Sequence, residues 1–247
     1  MFATGITFIH AGTRADEPPL LELAALNGIE DNPVTLNISA KAFYGSTNAS
    51  TELTIRIINF PLGSTFNRGT FSRQMWILNS TDFGAVEIYL PQHSSGRFNI
   101  TAEALYAGSN YTRMGTVNFS VQAVADAPSL NVIHDFCINS TIFTFSVNST
   151  LADSDGSEML LVTVSGLPTG THLSAGQVDT KGDYTLEPGV LNSSIVATLP
   201  HTPLDVITVG FTATTTEISS NSTASANTVI SLSKCKEDKS YSMYDVI

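Results

Sequence analysis

Along most of this sequence apolar side chains recur at every second position, in short runs rich in Val, Ile, Thr and Phe that Gly, Pro, Asn and Ser interrupt. A period of two puts successive side chains on opposite faces of an extended chain, so each run has one face to bury and one to leave in water. Residues 51–58, 86–90, 97–104, 116–121, 141–147, 160–165, 195–199, 207–214 and 228–232 read as strands on this pattern. Helical periodicity is nearly absent, and only residues 19–27, with Leu20, Leu21, Leu23, Ala24 and Leu26, fit a short helix. Many short strands at regular spacing predict an all-β sandwich architecture.

The pattern also repeats. Pro61-Leu62-Gly63-Ser64-Thr65-Phe66-Asn67-Arg68-Gly69 matches Pro168-Thr169-Gly170-Thr171-His172-Leu173-Ser174-Ala175-Gly176 at a step of 107 residues. Downstream, Trp76-Ile77-Leu78 pairs with Tyr184-Thr185-Leu186, Leu90-Pro91 with Leu199-Pro200, and the Phe98/Ile100/Ala102/Ala104 alternation with Ile207/Val209/Phe211/Ala213. At the joints, Ile6-Thr7-Phe8 followed by Ala15-Asp16-Glu17-Pro18 matches Val117-Asn118-Phe119 followed by Ala125-Asp126-Ala127-Pro128. Residues 1–27 therefore read as the terminal strand and linker of a preceding repeat. Residues 28–128 and 129–235 read as two sandwiches, and 236–247 as a linker or the start of a next segment.

These motifs resemble the tandem immunoglobulin/cadherin-like repeats of large modular extracellular adhesins and surface-filament proteins. The resemblance is carried by Glu30-Asp31-Asn32-Pro33, Asp153-Ser154-Asp155-Gly156-Ser157-Glu158, the two Pro-x-Gly segments and Ala125-Asp126-Ala127-Pro128, and it spans nearly all of residues 28–233. It implies two tandem immunoglobulin-like (cadherin-like) β-sandwiches in an extracellular or cell-surface protein. Function transfers less directly, because sandwiches of this kind serve many ends.

Charge limits the partners. With 22 acidic against 11 basic side chains, a net charge of −11 and no Lys/Arg run, the chain lacks the footprint that neutralises phosphates, so nucleic acid is not expected as a partner. No run of about 18 apolar residues is present, so no membrane insertion is expected from this segment. No motif of a serine hydrolase, a P-loop, a zinc protease or a dinucleotide site occurs, and the five His are scattered, so the expectation is a non-catalytic chain with no organic cofactor.

Asn-x-Ser/Thr sequons occur at Asn37, Asn48, Asn79, Asn99, Asn110, Asn118, Asn139, Asn148, Asn192 and Asn221. Sixteen Asn among 28 Ser and 30 Thr would give about four by chance. Strand parity sets Asn37 against Val34/Leu36/Ile38, Asn99 against Phe98/Ile100, Asn118 against Val117/Phe119/Val121, and Asn148 against Phe143/Phe145/Val147, on the outward face. Only Asn139 shares the parity of the core set. All but Asn139 are expected as N-glycan carriers, which implies the eukaryotic secretory pathway.

In such sandwiches the first and last strands are commonly neighbours. Cys137, with the parity of Phe143 and Phe145, is expected to face the core of the first strand of the second domain and to pair with Cys235. Asp153, Asp155 and Glu158 around Gly156 are the oxygen donors a hard cation takes, as are Glu30 and Asp31. If the first strand runs away from the point where the chain comes in, the acidic loop lies at the trailing end of its own domain and waits for the leading end of the next. Both sets then read as calcium half-sites facing outward joints. Between the two domains Asp126 and Asp135 form at most a weak pair, and no tight calcium site is expected there.

The reading is a non-catalytic structural repeat unit, a stalk, spacer or filament subunit such as a surface or ciliary fibre, whose partners are neighbouring repeats end to end. The alternative is an adhesion module for a carbohydrate or protein ligand. That alternative needs Trp76 or Tyr184 in a concave patch beside polar groups, whereas a spacer buries both.

Overall fold

The computed structural model describes residues 18–42, 52–107, 111–138, 140–203 and 205–235. The chain divides into two compact units between Ala123 and Val124. In chain order the first carries β1 (Leu20–Ala25), β2 (Gly28–Ile29), β3 (Val34–Lys41), β4 (Leu53–Asn59), β5 (Thr65–Phe66), β6 (Thr70–Ser72), β7 (Met75–Asn79), β8 (Gly84–Tyr89), β9 (Gly96–Tyr106) and β10 (Thr112–Gln122). One sheet runs β1-β3-β8-β5 and the other β2-β10-β9-β4-β7-β6.

The second unit carries β11 (Ser129–His134), β12 (Ile142–Thr150), β13 (Glu158–Ser165), β14 (His172–Leu173), β15 (Gln177–Val178), β16 (Tyr184–Leu186), β17 (Ile195–Thr198), β18 (Ile207–Glu217) and β19 (Thr223–Leu232). Its sheets run β11-β12-β17-β14 and β15-β16-β13-β18-β19, the same layout less a counterpart of β2. Two sheets, antiparallel throughout except for the short parallel pairing of β2 with β10, exchange strands in this order and form the immunoglobulin-like sandwich, so the expected fold is the observed one.

The expected parity holds at the core. Leu36, Ile38, Ile55, Ile57, Val86, Ile88 and Ile100 are closed to solvent in sandwich 1, and Phe143, Phe145, Val162, Val164, Val209 and Phe211 in sandwich 2. Each such side chain contributes about 1.5–3 kcal/mol by leaving water, which lets each sandwich close on its own core. The shared Pro-x-Gly motif also has a backbone cause. Gly69 and Gly176 sit at φ +81° and +101°, and an added Cβ would meet Ile77 O at 2.5 Å in the first case and Leu186 Cδ2 at 2.8 Å in the second. Only glycine fits where the chain passes that close to its neighbouring strand.

Three expectations change. Residues 19–27 form no helix, because Leu20–Ala25 pairs antiparallel with β3 and its burial alternates every residue. So short a segment cannot sustain a helix alone, whereas pairing satisfies its backbone at once. Residues 20–27 thus belong to sandwich 1 and not to the tail of a preceding repeat. The boundary also falls earlier than residue 128, since the N–H groups of Ala125 and Asp126 donate to Ser222 Oγ (2.8 Å) and Glu158 Oε1 (2.8 Å) of sandwich 2.

Finally, Cys137 bonds Cys235 as expected but does not lie in a core-facing strand. β11 ends before it, Cys137 occupies a half-buried bend, and Ile138 takes the buried place beside Lys234 in a parallel bridge. Residues 4–10, Asp16, Glu17, residues 43–51 and residues 236–247 lie outside the described residues.

Candidate functional site

The acidic loop joins β12 to β13. Its shape is local: Asp155 N–H donates to Asp153 Oδ1 (3.0 Å), Ser157 N–H donates to Asp155 Oδ1 (2.7 Å), and Gly156 turns the chain at φ +91°. Aspartate favours such turns because its side chain can stand in for a backbone acceptor. Because β11 leaves the leading end of sandwich 2 and β12 returns to it, this loop sits at the leading end and not at the trailing end. The bond from Asp126 N–H to Glu158 Oε1 fixes it there.

Sandwich 1 shows the mirror of this shift. β1 runs away and the turn before β3 lies at the trailing end, where Glu30 N–H donates to Gln122 O (2.9 Å). Asp31 Oδ1 accepts the His93 N–H (3.0 Å), and its Oδ2 stands 3.8 Å from His93 Nδ1.

Glu158, the first residue of β13, is a buried carboxylate. It is 8% exposed, and while Oε1 takes the Asp126 N–H, Oε2 is buried with no hydrogen-bond partner. Directly across on β18 stands Glu217, 2% exposed, whose Oε1 accepts the Ser219 N–H (3.0 Å) and hydroxyl (2.6 Å). Burial pushes the Glu158 carboxyl above the ordinary carboxylate range; the Asp126 N–H opposes this, and the Asp126, Asp153 and Glu217 charges reinforce it. Glu217 moves the other way, held below its ordinary value first by the Ser219 hydroxyl and then by the Ser219 N–H. Parity could have flagged Glu217, since it continues the buried Phe211/Ala213/Thr215 series of β18.

These oxygens suit a hard cation in kind. In geometry they make half a shell: among the described residues of sandwich 2, no three carboxylate, His or Cys groups bring one ligand atom each within 4.8 Å of one another, and none do within sandwich 1.

Of the sequon asparagines, Asn37, Asn79, Asn99, Asn118, Asn192 and Asn221 are exposed and Asn148 is half-buried, whereas Asn48, Asn110 and Asn139 lie outside the described residues. Asn99 and Asn118 are direct cross-strand partners on β9 and β10. Asn192 and Asn221 occupy left-handed turn positions at φ 63° and 55°. The two aromatic candidates separate. Tyr184 is buried, and its hydroxyl donates to Thr171 O (2.9 Å). Trp76 is half-buried and packs on Phe66 and Phe71 at 5.3 and 5.7 Å between ring centres.

No family model and no curated protein matches this chain. Among solved structures it is similar to EC1-2 of human protocadherin-24, with 12% identity over 81% of this chain and 87% of that one and a TM-score of 0.39. It is also similar to the FN1–FN3 domains of chicken CNTN1, with 10% identity over 88% and 69% of the two chains and a TM-score of 0.27. An endo-fucoidan hydrolase of glycoside hydrolase family 107 is similar at 12% identity over 90% of this chain and 30% of its own, with a TM-score of 0.34. No helix among the described residues is long and apolar enough to cross a membrane.

Proposed function

We propose that this chain is a pair of non-catalytic structural repeats of an N-glycosylated extracellular protein, exported through the eukaryotic secretory pathway and acting as spacer, stalk or filament subunit with neighbouring repeats end to end. The observation that supports this most is the placing of the sequons. Six of the seven described asparagines of the sequon set are exposed, on outward strand faces or in turns where a glycan meets no core. The disulfide fits the same oxidising compartment.

The calcium part of the proposal is narrow. Asp153, Asp155 and Glu158 form a half-site that binds weakly alone and needs oxygens from outside sandwich 2, as do Glu30 and Asp31 in sandwich 1.

The test is glycopeptide mapping of the chain secreted from a eukaryotic host. Glycans at a majority of the exposed asparagines are expected. A secreted, folded chain bearing none would overturn the reading.

A further inference from the structure

The two sandwiches are copies, so each serves as a control for the other. They differ in the hydrogen bonding of one corner. In sandwich 2 the Pro-x-Gly turn closes with Thr171 N–H on Pro168 O (3.0 Å), Thr171 Oγ1 also donates to Pro168 O (2.6 Å), and the Tyr184 hydroxyl donates to Thr171 O. Both side-chain hydroxyls of that corner, Thr171 and Tyr184, are thus paired. Sandwich 1 makes the same turn, with Ser64 N–H on Pro61 O (3.1 Å), but Ser64 Oγ and Trp76 Nε1, in the places of Thr171 and Tyr184, are buried with no hydrogen-bond partner. Ser64 is itself only 6% exposed. Buried polar atoms without partners are rare enough to ask for an explanation.

A cleft of about 750 Å³ opens at the same corner, between β5 and β6, the edge strands of the two sheets. Its walls are Phe60, Leu62, Phe71 and Trp76, with Leu62 95% and Phe71 58% exposed. The hairpin presenting Phe71 turns through Arg73 and Gln74 at φ 47° and 66°. Such turns normally use Asn, Asp or Gly, so strain is held here where the copy in sandwich 2 turns through a longer loop with Gly182 at φ 92°. No charged side chain lines the cleft, in a chain of net charge −11.

We propose that this cleft receives residues 4–10 (Thr4-Gly5-Ile6-Thr7-Phe8-Ile9-His10) of a second copy of the chain, added as a strand along the free edge of β6. The segment carries no Asp, Glu, Lys or Arg, as the uncharged cleft requires, and its alternation sets Ile6 and Phe8 on one face. Phe71, at the exposed edge, turns aside to admit Phe8. The incoming backbone then supplies a carbonyl for Trp76 Nε1–H and a partner for Ser64 Oγ. A sugar fits less well, because the Trp76 indole is half-buried between other rings and the cleft is a slot for side chains rather than a flat platform. This association does not rest on the glycosylated-spacer reading, which stands or falls on sequon occupancy.

The experiment is sedimentation of the full chain at rising concentration, with tryptophan emission followed in parallel. Trp76 is the only Trp, so the signal belongs to the cleft. Self-association accompanied by a blue shift of Trp76 is expected, and Phe8→Asp and Phe71→Asp should each weaken it at least tenfold. Phe8→Asp changes none of the cleft's own lining residues, so it tests the contact even if Phe71→Asp fails to fold. Three outcomes overturn the proposal: a chain that stays monomeric into the millimolar range with constant emission, a Phe8→Asp chain that associates like the parent, or a Phe8→Asp change in the emission of the monomer. The last would place the chain's own segment in the cleft.

Discussion

The Cys137–Cys235 bond spans 98 residues and ties the end of β11 to the end of β19, closing almost the whole of sandwich 2 into one loop. Sandwich 1 makes the corresponding connection with backbone alone: β2 pairs in parallel with β10, and Glu30 N–H reaches Gln122 O. In sandwich 2 that patch shrinks to the single bridge of Ile138 with Lys234. A covalent link thus reinforces the two backbone bonds that remain there, from Ile138 N–H to Ser233 O (2.8 Å) and from Cys235 N–H to Ile138 O (3.0 Å). Closing a loop of this length removes about 4–5 kcal/mol of unfolded-chain entropy in the chain-entropy model. For a domain of about 100 residues, at about 4–8 °C per kcal/mol, the double substitution Cys137→Ser/Cys235→Ser should lower the melting temperature of sandwich 2 by roughly 15–40 °C. Circular dichroism follows both sandwiches, whereas tryptophan emission follows sandwich 1 only, through Trp76. The expected result is a CD transition that splits, its earlier part shifted down, while the emission transition stays in place. A shift of less than about 5 °C, or an equal shift in both signals, would refute the view that the bond acts on the unfolded ensemble of sandwich 2.

Gly69→Ala should destabilise sandwich 1 by about 2–3 kcal/mol, through a left-handed φ and a Cβ 2.5 Å from Ile77 O, and is checked by chemical denaturation followed at Trp76; a loss below about 0.5 kcal/mol contradicts it. Glu158 has its carboxyl raised in the folded state, so its stabilising contribution is present below the ordinary carboxylate range and lost as pH rises through the raised value. Glu158→Gln keeps an acceptor for the Asp126 N–H and should therefore raise the melting temperature of sandwich 2 at pH 7 while leaving it unchanged below about pH 4; no gain at pH 7 counts against the burial argument. Glu217 is held low, and its contribution is present at neutral pH and lost as pH falls through the depressed value, so Glu217→Gln should destabilise at pH 7 and converge with the parent in acid. Asn99 and Asn118 face each other across β9 and β10, about 5 Å apart at Cβ, so glycopeptide mapping should find one or the other occupied on a given molecule and seldom both.

The sandwich, its duplication and the outward sequons were legible because they are encoded by parity, which is local: Leu36 and Ile38 are buried and Asn37 between them is exposed wherever the strand ends up. The opening strands were not legible. β1 has leucines at 20, 21 and 23, on both parities, and β11 lies at a sheet edge with only half-buried inner residues, so neither shows the clean alternation of a central strand. One missed strand has a large consequence, because each strand reverses the direction of travel. With β11 absent from the reading, the 153–158 loop falls at the wrong end of its sandwich, and with β1 absent so do Glu30 and Asp31.

The pairing state of Ser64 and Trp76 lies further still from what a sequence can show. Ser64/Thr171 and Trp76/Tyr184 are conservative pairs on paper, and the difference appears only when hydrogen bonds are counted at the two equivalent corners. Shared positions in a duplicated fold report what both copies need in order to fold, as the two glycines at 69 and 176 do. A corner satisfied in one copy and unsatisfied in the other reports something that folding does not require. The edge cleft of sandwich 1 is thereby set apart from everything the repeats hold in common, and is the place where a partner is expected.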